Sequence, residues 1–145
     1  MSKYSEKAVE LFKEGKNCAQ AVFCAFAPDL GLPEETALAV SMGLGGGVGR
    51  LREVCGTITG AAMVVGLKHP ELSKAEAYEL VRRIVDEFKK DNSSIVCREL
   101  LGLPEAEKSH IPEARTDEYY QKRPCVQLVE DSALAVEKIL FSTEE

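Results

Sequence analysis

Apolar residues recur along most of this chain at intervals of three and four, the spacing that gathers them on one face of an α-helix. The clearest run is "SKAEAYELVRRIVDEFKK", residues 73–90, where Ala77, Leu80, Val81, Ile84, Val85 and Phe88 form one stripe. Ser73 and Glu76 stand three apart at its start, the spacing of a capping box in which each side chain meets the other's backbone N–H. "EKAVELFKEG", residues 6–15, repeats the pattern over a shorter length and stops at Gly15. "NCAQAVFCAFAPDLG", residues 17–31, has Asn17 as a cap and apolar residues on nearly every side, which predicts a helix central to the core. Pro33 opens "PEETALAVSMGL", and Glu34 and Glu35 suit the positive end of its helix dipole.

Beyond residue 56 the pattern continues. "TITGAAMVVGLKH" predicts a small-residue helix ended by Pro70, and its Gly56, Gly60 and Ala61 offer a slim face to another backbone, within the chain or across a homodimer. "SSIVCRELLG" predicts a short helix capped by Ser93 or Ser94 and ended by Gly102. Residues 103–122 are polar and irregular, partly helical at most. Pro124 begins a long final helix, "PCVQLVEDSALAVEKILF", with Leu128, Val129, Val136 and Ile139 facing inward. Alternating strand patterns are scarce. The prediction is an all-α single domain spanning residues 1–145, a bundle of about six or seven helices.

Charge and composition narrow the function. The 145 residues carry 18 basic and 24 acidic side chains, a net charge of −6, with no concentrated basic stretch. Nucleic acids and anionic membranes both select a positive surface, so neither is an expected partner. The N-terminus lacks an apolar signal core, and no apolar run approaches the roughly 18 residues of a membrane span. The expected location is therefore the cytoplasm, where thiols stay reduced. Five cysteines, an odd number, also fit poorly with a secreted disulfide framework.

The stretch "MGLGGGVGRLREVCGTITGAAMVVG", residues 42–66, raises the candidate chemistry. Five glycines fall between Gly43 and Gly49. A nucleotide P-loop would follow its last glycine with Lys and then Ser or Thr; here Gly49 is followed by Arg50 and Leu51. A dinucleotide fingerprint needs G-x-G-x-x-G after a strand, and this region is helical. The glycines instead predict a tight connection between two helices, with bare N–H groups able to face an anion such as a thiolate. Attention moves to Cys55, just beyond them.

Cys18, Cys24, Cys55, Cys97 and Cys125 contain no C-x-x-C pair, which excludes a thioredoxin motif and a zinc-ribbon knuckle. Four of them nevertheless fall at predicted helix starts. Cys18 follows the cap Asn17, Cys125 follows Pro124, Cys97 follows the capping serines, and Cys55 stands at the glycine-rich entry to its helix. The partial positive charge of a helix N-terminus favours thiolate over thiol. Cys24 sits mid-helix in "AVFCAFA" and reads as core filler.

"NCAQAV", then "CGTITG" beyond glycines, then Cys97 and Cys125, resembles the C-GCAxxG-C-C family of redox-active proteins over nearly the whole chain. One departure is Thr57, where the family's central motif usually has alanine; its hydroxyl is placed to bond a nearby sulfur or to cap the helix. The resemblance implies that Cys18, Cys55, Cys97 and Cys125 are the functional set and that Cys24 is not. Similar domains also occur beside haem-binding segments, where their cysteines are the expected holders of an iron–sulfur cluster. This chain has no C-x-x-C-H for attached haem.

The first expectation for four such thiolates is a [2Fe–2S] or [4Fe–4S] cluster, serving electron transfer or redox sensing with a redox protein or small electron carrier as partner. The second is a metal-free thiol–disulfide protein, with Cys55 attacking and Cys18 or Cys97 resolving. A structural zinc site of four cysteines and a helical adaptor with no cofactor are further alternatives, the zinc site weakened by the absence of closely spaced pairs. His69 is expected to meet helix-end carbonyls, and Tyr119 and Tyr120 to cover a site or a partner helix. Glu34/Glu35, Asp86/Glu87 and Glu144/Glu145 read as solvated charge.

Overall fold

A segment with apolar residues on all sides has no face to give to water, and Ala19–Phe26 gives none: every one of these residues is buried. In the computed structural model, which describes residues 2–103 and 108–142, this segment belongs to α2 (Cys18–Phe26). Around it lie α1 (Lys3–Lys13), α3 (Glu34–Ser41), α4 (Gly56–Lys68), α5 (Lys74–Phe88), α6 (Cys97–Leu100), α7 (Asp117–Lys122) and α8 (Cys125–Val136). The fold is all-α, and among the described residues the only extended pairing is an isolated bridge between Val54 and Val96. Eight α-helices among the described residues, one more than the upper expectation, arise because the end of the polar connector coils into α7 behind the cap Thr116. Glu144 and Glu145 lie outside the described residues.

The predicted side-chain caps hold at two helix starts. Asn17 and Gln20 form a reciprocal capping box at α2, and Ser73 and Glu76 form another at α5. Ser2 and Ser5 do the same at α1, and Gly15 stops that helix with φ +109°. The capping assignment of Ser93 or Ser94 to α6 does not hold. The chain at Ile95 and Val96 is drawn out by its pairing with residues 53–55, so the helix begins only at Cys97, behind Val96. Ser94 Oγ instead accepts the Val96 N–H at 2.9 Å and donates to Glu99 at 2.6 Å. His69 also differs: its imidazole meets the Glu71 carboxylate at 3.3 Å.

Packing of α4 on α2 depends on missing side chains. A Cβ on Gly60 would stand 2.7 Å from the Ala19 carbonyl oxygen, and one on Gly56 would stand 2.8 Å from the Ala19 nitrogen. The small-residue face is thus used within the chain. Phe12, Phe26 and Phe88, each at most 1% exposed, anchor the remaining interfaces. Burying such a ring contributes about 1.5–3 kcal/mol. The stripe of α5 is shallower than its periodicity predicts, with Ile84 and Phe88 alone fully buried, because one of its sides faces solvent. None of the described helices is long and apolar enough to cross a membrane.

Candidate functional site

All four helix-start positions assigned to Cys18, Cys55, Cys97 and Cys125 are found. Cys18, Cys97 and Cys125 are the first residues of α2, α6 and α8, and Cys55 is the residue from which α4 departs. Asn17 fixes the first by accepting the Gln20 N–H at 2.9 Å while its own amide donates to the Met42 carbonyl at 2.9 Å. Two others are fixed together. Cys55 N–H donates to the Ile95 carbonyl at 2.8 Å, and Cys97 N–H to the Glu53 carbonyl at 2.5 Å, on either side of the Val54–Val96 bridge. Side chains alternate along extended backbone, so Cys55 and Cys97 lie on the same face of this bridge.

The glycine stretch explains how the bridge is reached. Gly46, Gly47, Val48, Gly49 and Arg50 all have φ between +57° and +70°, a left-handed turn, and Arg52 returns to φ +59°. The turn is closed by long-reach backbone bonds, Gly49 N–H to Gly43 O, Arg52 N–H to Gly46 O and Glu53 N–H to Gly47 O, each 3.0 Å. Non-glycine residues resist this hand by about 1–2 kcal/mol each. Closeness matters as well as conformation: a Cβ on Gly47 would lie 2.7 Å from Cys97 Cβ, and one on Gly45 would lie 2.5 Å from the Asn17 amide. The glycines therefore lay the chain directly against two elements that carry cysteines.

The four cysteines line one cavity of about 280 Å³, and Cys24, fully buried in the apolar core of α2, does not reach it. Cys55, Cys97 and Cys125 are 3%, 7% and 8% exposed, and Cys18 is half-buried. All are free thiols. Cys18 and Cys125 hydrogen-bond to each other, and this bond is the largest influence on both. It pulls Cys125 down to about 7, helped against burial by the Tyr119 hydroxyl and the positive charges of Arg123 and Arg115. The same bond, with burial, holds Cys18 well above the ordinary thiol range. Tyr119, Arg123 and Arg115 all act on Cys125, so negative charge on the pair is favoured at that sulfur.

The other two thiols are less acidic. Burial pushes Cys55 up to about 11 although the Thr57 hydroxyl lies 3.1 Å from its sulfur. Burial also raises Cys97, partly offset by the Arg52 guanidinium at 3.6 Å. Burial works against the expected attacking role of Cys55: Arg52, three residues before it, reaches across the bridge to Cys97, and Cys55 keeps the Thr57 hydroxyl as a polar contact. Sequence reasoning also left Tyr119 without a definite contact and did not find Arg115. The guanidinium of Arg115 lies 4.0 Å over the Phe12 ring and donates to the carbonyls of Phe12 at 2.6 Å and Lys16 at 2.8 Å. Their signal was spatial: only Arg123 and Pro124 separate the end of α7 from Cys125, which turns Tyr119 back over that sulfur.

Across the mouth of the cavity runs the polar strap 108–116. Arg50 donates to the carbonyls of Ser109 and Ile111, and Arg123 pairs with Glu113. Among the described residues no three His, Cys, Asp or Glu side chains gather closely enough to hold a single metal ion. A cluster is less demanding in this respect, since its thiolates bind different irons and need not meet at one point. The donor set, four cysteines around one cavity, has the chemistry of iron–sulfur ligation.

Fold and site together define a small all-helical protein in which four of five cysteines converge on one partly closed cavity. The chain belongs to the family described as "Putative redox-active protein (C_GCAxxG_C_C)", whose model matches residues 16–139. No protein of curated function and no solved structure shows significant similarity to it.

Proposed function

We propose that this protein is a thiol–disulfide redox protein in which Cys125 is the attacking thiolate and Cys18 the resolving thiol. The observation that carries the reading is their mutual hydrogen bond, with Cys125 lowered to about 7 and Cys18 raised. A nucleophile whose pKa lies near ambient pH is both ionised and reactive. The substrate is a disulfide, R–S–S–R. Cys125 thiolate attacks one of its sulfurs, the S–S bond breaks, and the departing RS⁻ takes up a proton. Cys18 then loses its proton and attacks Cys125 Sγ of the mixed disulfide, releasing the second RS⁻, which is protonated in turn. The protein dithiol is oxidised by two electrons and the disulfide is reduced to two thiols. Cytoplasmic dithiols would return the protein to its starting state.

Tyr119 and the guanidinium groups of Arg115 and Arg123 stabilise the Cys125 anion, and the strap 108–116 limits access of water. The test is mass spectrometry of the protein after brief treatment with a disulfide. The expected product is an intramolecular Cys18–Cys125 bridge, lost in Cys125→Ser and trapped as a mixed disulfide in Cys18→Ser. An intramolecular bridge between other cysteines, formed equally fast in Cys125→Ser, would overturn the assignment.

A second reading rests on Cys55 and Cys97, which line the same cavity although a dithiol needs only two sulfurs. Cys18, Cys55, Cys97 and Cys125 would then hold an iron–sulfur cluster, which supplies one-electron transfer when bound. The chain's own contribution would be the Thr57 hydroxyl beside Cys55 and the Arg52 guanidinium beside Cys97, both hydrogen-bonding partners for ligating sulfur. Iron and acid-labile sulfide in protein purified without oxygen, stoichiometric and lost in Cys55→Ser, would favour this reading over the first.

A further inference from the structure

Resting on the dithiol reading, we infer that Cys55 and Cys97 form a second dithiol, which takes the disulfide over from Cys18 and Cys125 by exchange within the cavity. The first exchange uses two of the four sulfurs that line this space. The other two stand as a pair of their own. Cys55 and Cys97 share one face of the isolated pairing, diagonally across Val54 and Val96. Diagonal neighbours on such a pairing lie roughly 7–8 Å apart, about an ångström more than a disulfide spans. An isolated bridge, with no longer ladder to hold it rigid, can take up that shift. Each sulfur also has a polar group beside it. The Arg52 guanidinium lies 3.6 Å from Cys97 Sγ, and the Thr57 hydroxyl lies 3.1 Å from Cys55 Sγ.

Close backbone contacts set the two pairs side by side. Within one turn, Gly45 packs on Asn17, the residue before Cys18, and Gly47 packs on Cys97. A Cβ on Gly56, the residue after Cys55, would lie 3.2 Å from Cys18 Cβ. Cys18 is thus the sulfur of the first pair that these contacts bring towards the second. Starting from the Cys18–Cys125 bridge, Cys97 loses its proton to water and attacks Cys18 Sγ. The bridge breaks, a Cys18–Cys97 bond forms, and Cys125 departs as the thiolate that Tyr119, Arg123 and Arg115 favour. Cys55 then attacks Cys97 Sγ, and Cys18 departs and takes up the proton that Cys55 gave. Cys55 and Cys97 are oxidised by two electrons, Cys18 and Cys125 are reduced by two, and no outside reactant is consumed. A disulfide is more oxidising when its reduced form is stabilised, so the exchange runs towards Cys55 and Cys97. The first pair is then free to reduce a second disulfide, and one chain delivers four electrons.

The experiment treats the reduced chain with one equivalent of hydroxyethyl disulfide and quenches with acid at intervals. Remaining thiols are alkylated and the bridges are mapped by mass spectrometry. The Cys18–Cys125 bridge is expected first, and the Cys55–Cys97 bridge is expected to grow at its expense. With excess disulfide, each chain is expected to consume two equivalents. Cys97→Ser is expected to hold the bridge at Cys18–Cys125, and Cys18→Ser to slow formation of the Cys55–Cys97 bridge by about tenfold or more, because the neighbouring donor is lost. A Cys18–Cys125 bridge that persists in the unaltered chain, with Cys55 and Cys97 still open to alkylation, overturns the inference and leaves the dithiol reading standing. A Cys55–Cys97 bridge that forms as fast in Cys18→Ser also overturns it, since the second pair then meets the oxidant directly. Absence of the Cys18–Cys125 bridge even in Cys97→Ser overturns both.

Discussion

Cys18 and Cys24 stand on the same helix, six residues apart, and have opposite fates. Six residues turn an α-helix through about 600°, so the two side chains point roughly 120° apart. Cys18 opens the helix, looks into the cavity and shares a proton with Cys125. Cys24 is fully buried among the side chains of the core and is raised chiefly by that burial. A thiol's chemistry here is set by what closes around it. At the helix start it meets another sulfur and, beyond it, arginines; in mid-helix it meets the packed core and the Ser41 hydroxyl.

The largest test of this contrast is substitution at the reactive pair. Cys125→Ser should abolish bridge formation, a loss of more than about a hundredfold given the much weaker nucleophilicity of a hydroxyl, whereas Cys24→Ala should change the rate by less than about twofold. Rates of thiol loss after disulfide addition decide the matter, and comparable losses in both variants would erase the contrast. Next in size is pH dependence. Cys125 has its pKa lowered to about 7, so its alkylation should rise with pH to half-maximum near 7 and flatten above it, while Cys24 should stay unreactive until the protein is denatured. A profile centred at the ordinary thiol value of about 8.5 would count against the assigned charge distribution.

Smaller effects sharpen the comparison. Tyr119→Phe removes a hydrogen bond to the Cys125 anion and should move the alkylation midpoint upward by about one pH unit, since a bond to a charged group contributes about 1.5–3 kcal/mol and the remaining donors compensate in part. An unmoved midpoint would assign the shift to Cys18 and the arginines alone. Gly60→Ala tests the frame that presents Cys18. The added methyl would meet the Ala19 carbonyl, and thermal unfolding should register a loss of about 1–3 kcal/mol.

What could be read in the sequence was local. Asn17, Ser73, Pro33 and Gly15 mark helix ends through contacts with residues only a few positions away, and Cys18 inherits its helix-start placement from Asn17. The Val54–Val96 bridge joins segments 42 residues apart and neither segment alternates long enough to announce a strand. For the same reason nothing local announces that Arg52, three residues before Cys55, is given by folding to Cys97. The left-handed turn defeats propensity outright: glycine foretells it at three positions, but Val48 and Arg50 follow the same hand against their preference.

That turn has a consequence for how the protein can change. With five successive residues wound against the handedness of L-amino acids, the link between α3 and α4 has no slack to absorb an insertion or a deletion. One residue more or fewer would slide the extended pairing by a step and swing Cys55 to the opposite side of it, away from Cys97. Length in this link is therefore under tighter physical control than side-chain identity, the reverse of what surface connections ordinarily permit.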